Sequence, residues 1–293
     1  MAEHLHLHMA FLGHHPGGAR LQKLSFRSHL HLASNNHNSK NLWQNICIST
    51  WPSLLATPAV PDFYFSGLKN FHSNVISTLP GGYRTFFSDA FPSIHSHDLN
   101  TINPPPPSPP LFIRFYYAVD VFLHGQPHPF SSLCATQLVQ TRQVFDDFMG
   151  FKFRLYPLKH KLKNFIKVKK QGFEEYLKQN LTLSCVVIET KVSKHAGSLF
   201  TPGCKPVEVK PAATSGRVKV IFETLLPSLS NLYTQMIKCR TKIVCGWQGD
   251  AEDKFCVKCV YSTFKDMNGK RLLERHAAII ILNAIINGER KNK

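Results

Sequence analysis

Acidic residues are scarce in this 293-residue chain: 18 Asp and Glu stand against 35 Lys and Arg, a formal net charge of +17. That balance fits an acidic partner such as RNA, an anionic membrane or an acidic protein. It fits a plain basic surface equally, because net charge speaks to association and not to fold. Long hydrophobic runs are missing too. No window approaches 18 uninterrupted apolar residues, so neither a membrane span nor a membrane partner is expected. The N-terminus lacks an apolar leader core, which argues against export. The eight cysteines then read as free thiols in a reducing compartment, nucleus or cytoplasm. Catalytic signatures are also absent: there is no Gly-x-Ser-x-Gly, no Cys/His box, no HExxH and no glycine-rich phosphate loop. Asp146-Asp147 and Glu174-Glu175 are adjacent carboxylates. General acid–base work needs carboxylates converging from separate elements, so both pairs read as solvated surface. No catalytic residue, cofactor or metal is assigned, and the chain reads as a non-enzyme.

What is present is 43% hydrophobic residues, enough to fill a core and to exclude wholesale disorder. Residues 1–27 are rich in histidine (His4, His6, His8, His14, His15) and read as a poorly ordered terminus. Parts of 25–50 have the apolar spacing of short helices, stopped by Pro52, Pro58 and Pro61. A further helix is expected over 66–79, ending at Pro80-Gly81-Gly82, where glycines supply backbone angles other residues avoid. A proline run, Pro104–Pro107 with Pro109 and Pro110, marks a semi-rigid linker over 93–110.

Beyond it the pattern becomes short strands: Phe115–Leu123, Phe151–Leu155, Leu181–Ile188, Val207–Val209, Val218–Phe222, and Ile237–Cys245 paired with Phe255–Tyr261 across a polar loop. Lys270–Asn287 closes the chain as a buried helix, followed by a basic tail over 289–293. The expected class is α+β: a short helical N-terminal region over 28–92, the proline linker, and an antiparallel sheet or sandwich-like domain over 111–288 capped by the C-terminal helix.

Cys239, Cys245, Cys256 and Cys259 have the spacing of a zinc set. However, Cys256 and Cys259 lie within a strand pattern that should point them to opposite faces, so core thiols are expected instead. The basic run Lys159–Lys170 could bind phosphates or act as a nuclear signal, and a solvated face is the plainer reading.

The rarest string of residue types lies between Leu42 and Pro92. It holds Leu42-Trp43, Cys47, then Ser49-Thr50-Trp51-Pro52-Ser53, then Pro80-Gly81-Gly82-Tyr83-Arg84 with Phe86-Phe87-Ser88-Asp89-Ala90-Phe91-Pro92. This order resembles the segment that follows the F-box in a family of plant F-box proteins. Ala118-Val119-Asp120 resembles that family's first strand after the linker, and the later strands and last helix fall in the same order. The resemblance implies a substrate-recruiting subunit of a Skp-cullin-F-box ubiquitin ligase. Its partners would be a Skp-type adaptor, a cullin ligase and an unknown protein substrate. It also implies adaptor contacts at Leu30, Leu32, Leu42 and Trp43. Trp51, Pro52, Pro80, Gly81, Gly82, Tyr83, Phe86, Phe87 and Asp89 carry the signature, with Trp43 and Trp51 as core anchors and Phe86 or Phe87 as a possible substrate contact.

The usual Leu-Pro opening of an F-box is missing before Ser28, so the F-box reads as truncated or degenerate. A protein that has lost adaptor binding is therefore the second reading. Residues 124–133 are expected to break the family's second strand. A third reading, a double-stranded RNA-binding domain, rests on the final strand and helix, with Lys270, Arg271 and Arg275 at the phosphates. It lacks the required first helix, so a nucleic-acid partner is not expected.

Overall fold

A computed structural model of the chain describes residues 39–55, 75–90, 110–126, 128–141, 152–155, 172–212, 217–228, 233–247 and 255–287. The expectations for the His-rich start, Leu30 and Leu32, most of the proline run and the basic run at 159–170 fall outside the described residues.

The first helix, α1 (Ser39–Thr50), stops one residue before Trp51, and Pro52–Leu55 make a single 3-10 turn. The helix end is held locally, because Ser49 and Thr50 hydroxyls both donate to the Ile46 carbonyl. A helical turn at 75–77 lies within the expected 66–79 helix, whose earlier part falls outside the described residues. Pro80-Gly81-Gly82 then does more than end it, since α2 (Gly82–Ala90) starts there. Gly81 and Gly82 have φ of +78° and +59°, and a Cβ on Gly81 would collide with the Thr85 side chain. Glycine is required at this entry because other residues pay steric strain in that region.

Two antiparallel sheets follow. One has the strand order β2-β1-β4-β5, built from β1 (Phe112–Leu123), β2 (Ser131–Gln140), β4 (Leu181–Glu189) and β5 (His195–Cys204). The other has the order β3-β9-β8-β7-β6, built from β3 (Lys152–Leu155), β6 (Glu208–Ala212), β7 (Arg217–Pro227), β8 (Met236–Trp247) and β9 (Phe255–Asp266). A short helix, α3 (Phe173–Asn180), leads into β4, and α4 (Glu274–Asn287) ends the described chain. The class is α+β, as expected.

The main core lies between the inner faces of the two sheets. Ile113, Phe115, Tyr117 and Val119 of β1 join Val220 and Phe222 of β7 and Ile243 of β8 there. Helix α4 contributes Ala277, Ala278, Ile280, Ile281 and Ile285 to the same core and touches β2, β5 and β7. Burying each such Ile contributes roughly 1.5–3 kcal/mol. Phe173 of α3 packs edge-on to Phe255 at 4.3 Å, with Trp247 beside both, closing one end.

The four-stranded sheet is covered on its other face as well. Ala118 of β1, Val186 and Ile188 of β4 and Ala196 of β5 form a second core with Cys47, Trp51, Leu54, Ile76, Leu79 and Phe86. Burial on both faces is why β1 and β4 read as continuous apolar runs rather than as alternating ones. In contrast, β7 alternates, with Arg217 and Lys219 exposed beside buried Val218 and Val220.

Four expectations change. The second strand is not lost: the irregular sequence is confined to the connection, and β2 runs in register with β1 from Ser131. Strand β5 gave no signal, since Gly, Ser and Pro interrupt it. It tolerates them as an edge strand with an irregular register to β4. The closing helix begins at Glu274, not Lys270, because Arg271 bridges Lys265 and the Leu272 N–H donates to Phe264. Finally, Cys256 and Cys259 do not point to opposite faces. A bulge in β9 sets Cys256 against Gly246 and Cys259 against Val244. Both sit on the outer face, because the extra residue cancels the two-residue period.

Candidate functional site

The Trp/Pro-Gly-Gly signature folds into a cap over the outer face of the four-stranded sheet. Trp51 is completely buried and meets Phe86 at 5.3 Å and Phe87 at 5.8 Å, both edge-on. Trp43 lies against the same Phe87 at 5.5 Å and stays half-buried. Each such aromatic pair adds about 0.5–1.5 kcal/mol beyond its area. The Cys47 thiol donates to the Tyr83 carbonyl at 3.4 Å, tying α1 to α2. Trp51 is thus the core anchor expected. Phe86 is fully buried and offers nothing to a substrate, and Phe87 is half-buried between the two tryptophans. Pro52 is half-buried at the start of its turn, and Pro80 and Gly81 are exposed at the entry to α2.

Two carboxylates fasten the cap to the sheet. Asp120 of β1 is fully buried. One of its oxygens accepts from the Ser53 N–H at 2.8 Å and from the Ser132 hydroxyl at 2.6 Å; the other accepts from the Ser53 hydroxyl at 2.7 Å. The Trp51-Pro52-Ser53 and Ala118-Val119-Asp120 motifs, read separately in the sequence, are therefore two halves of one contact. Burial raises the Asp120 carboxyl to about 7, while its hydrogen bonds to Ser132 and Ser53 pull the other way.

The second fastening joins Asp89 of α2, buried, to His195 Nδ1 of β5 at 2.7 Å. Beside it the Ser198 hydroxyl donates to the Ala90 carbonyl. Asp89 was recognised as a signature residue. Its partner His195 was not, nor were Ser198 and Ser132. Nothing local in the sequence marks them, because the contacts span about a hundred residues for His195 and Ser198, and Ser132 sits in a strand not expected to form.

The cysteines make no metal centre among the described residues. Cys239 and Cys245 belong to the inner core, whereas Cys256 and Cys259 are registered on the outer face of the same sheet. Burial raises the Cys204 thiol to about 11 and the Cys239 thiol to about 12, which disfavours the nucleophilic thiolate at these two. The basic residues assigned to RNA phosphates are not brought together on a helix. The Lys270 ammonium lies over the Tyr233 ring at 5.1 Å, Arg271 pairs with β9, and Arg275 is half-buried on α4.

No protein-family model and no solved structure matches the chain. Three proteins of Arabidopsis thaliana do. A probable F-box protein is 28% identical over 283 residues, covering 94% of this chain and 71% of the relative. An F-box protein is 28% identical over 193 residues, covering 64% of this chain and 46% of the relative. Another F-box protein is 22% identical over 263 residues, covering 87% and 69%. The chain thus spans between about half and seven-tenths of the lengths of these relatives. At 22–28% identity, the chain is thus similar to plant proteins named as F-box proteins.

Proposed function

We propose that the chain acts as a substrate-recruiting subunit of a Skp-cullin-F-box ubiquitin ligase and performs no bond chemistry itself. The observation that carries this reading is similarity to proteins named F-box over most of the chain. The α1–α2 cap docked on the sheet through Asp120 and Asp89 supports it. A recruiting subunit works by proximity. It raises the effective concentration of substrate lysines at the charged ubiquitin carrier, and that effect needs a stiff connection between adaptor-binding and substrate-binding parts. In this reading Leu30, Leu32, Leu42 and Trp43 face the Skp-type adaptor, and the sheets carry the substrate surface. Eight cysteines with no disulfide among them suit a reducing compartment, nucleus or cytoplasm.

The test is co-purification of the full chain with a plant Skp-type adaptor at mild salt. Capture is expected, and deletion of residues 1–38 should abolish it while the cooperative melt of the remaining fold persists. Failure of the full chain to retain the adaptor would overturn the ligase reading and leave an F-box-derived interaction protein.

A further inference from the structure

The two sheets treat their outer faces differently. The signature cap covers that of the four-stranded sheet. No described element packs on that of the five-stranded sheet; Ile221, Val244, Cys256 and Cys259 on it are buried, and the register surrounds them with a lattice of cations. Lys219 and Lys210 are paired across β7 and β6. Lys242 sits opposite Ile221 and beside Tyr261, and Lys238 sits beside Lys265. Arg217 and Lys258 reach towards each other over Gly246, where a Cβ would lie 3.2 Å from the Arg217 stem and 3.6 Å from that of Lys258. Along a strand these positions repeat every ~6.6 Å and across strands every ~4.8 Å.

Among the described residues, two acidic side chains offset only part of this field. Glu208 is engaged by Lys210 at 2.7 Å, and Glu223 by Arg240 at 2.6 Å and Lys238 at 3.3 Å. Burial would raise the Glu223 carboxyl, but hydrogen bonds and charge from Arg240 and Lys238 outweigh it and hold it below its usual range. Lys242 is lowered by partial burial first, then by Arg240, Lys219, Lys265 and Arg271, which places four further cations around it. Packing like charges this closely costs stability, which an anionic ligand would offset.

We infer that this face, centred on Lys219, Lys242 and Lys265, is the docking surface for an extended Asp/Glu-rich segment of a partner protein. The inference rests on the recruiting function above and assigns the chemistry of the recruited chain. Repeated single carboxylates match the lattice better than a phosphate does. Lysine ammonium groups are separate point charges, and the Arg240 guanidinium beside Lys242, a group suited to a bidentate dianion, already holds Glu223, which leaves Arg217 at one corner of the face. A single-stranded nucleic acid fits less well, since bases need a run of aromatic platforms. Tyr261 is the one aromatic on the described part of β7, β8 and β9 that faces this way, and Lys242 lies over it at 5.6 Å.

The experiment measures anisotropy of a fluorescein-labelled peptide of alternating Glu and Ala against the full chain, with a Gln/Ala peptide and oligo-U of equal charge as competitors. Wild type should bind the Glu peptide with an affinity that falls with salt, and neither competitor should displace it at equal concentration. Lys219→Glu with Lys242→Glu should lose about tenfold or more in affinity, and Lys178→Glu with Lys205→Glu, off this face, should lose less than about twofold. Lys219→Gln with Lys265→Gln gives the same reading with a milder change should the first pair fail to fold. Equal loss from both sites, unchanged binding in the on-face variants, or displacement by oligo-U would overturn the assignment. Adaptor capture is read in parallel. Peptide binding without capture sinks the ligase reading alone, and capture without peptide binding sinks this one alone.

Discussion

Asp120 is the residue on which the cap turns. Replacing it by Ala leaves the Ser53 N–H and the Ser53 and Ser132 hydroxyls without their acceptor in a buried site. Leaving a buried donor unsatisfied costs about 1–3 kcal/mol, so urea denaturation of Asp120→Ala should lie at the upper end of that range, and Ser53→Ala should cost about 1 kcal/mol less. The carboxyl also gives the protein a pH signature. Its folded value is raised to about 7, whereas an unfolded Asp titrates near ~3.9. Between those limits the folded state holds more protons, so stability from this group is complete below the lower value and is lost as pH rises through the upper one. Denaturation from pH 5 to pH 8 should therefore move the balance between wild type and Asp120→Asn in favour of Asn. Trp51→Ala removes the largest fully buried side chain and should cost about 3–5 kcal/mol.

At the scale of elements, the clasp between α2 and β5 includes the Asp89–His195 pair and the Ser198 hydroxyl contact. His195 keeps 37% of its side chain exposed, so solvent screens the pair and the loss on Asp89→Ala should be about 1 kcal/mol. Its effect should be local: hydrogen exchange should speed up in 82–90 and 195–200 and stay unchanged in β8. Helix α4 behaves differently. Ile281 is completely buried between the sheets, and Ile281→Asp places a carboxylate there without a partner. The cost is several kcal/mol, and the cooperative unfolding transition should vanish.

Both outcomes separate what was legible from what was not. The buried character of α4 was plain in its apolar circumference, and its start was not, because a backbone bridge from Arg271 decided it. Asp89 was legible by its place in a rare motif. His195 was not, because β5 is an edge strand whose Gly and Pro erase the strand pattern.

For the whole molecule, the outer faces of the two sheets divide the labour. One is closed by the signature cap, and the other carries a lattice of cations on which no described element packs. The net charge of +17 is thereby partly localised, which the composition could not indicate. The localisation gives a simple global expectation: added salt should raise the melting temperature of wild type more than that of Lys219→Gln with Lys265→Gln. Screening relieves like-charge repulsion, and the variant has less of it to relieve.

The sequence by itself determined the class of fold, most of the strands, the closing helix and the kinship with plant F-box proteins. Each of these rests on short-range pattern: apolar periodicity, glycine and proline punctuation, and a rare order of residue types. Tertiary structure alone decided that Ser53 belongs to Asp120 and Asp89 to His195, that one bulge turns Cys256 and Cys259 to the same face, and that the lysines of four strands gather on one surface. Such facts depend on strand register and on contacts across as much as a third of the chain. A linear pattern cannot encode them, because register is set jointly by every pair in the sheet.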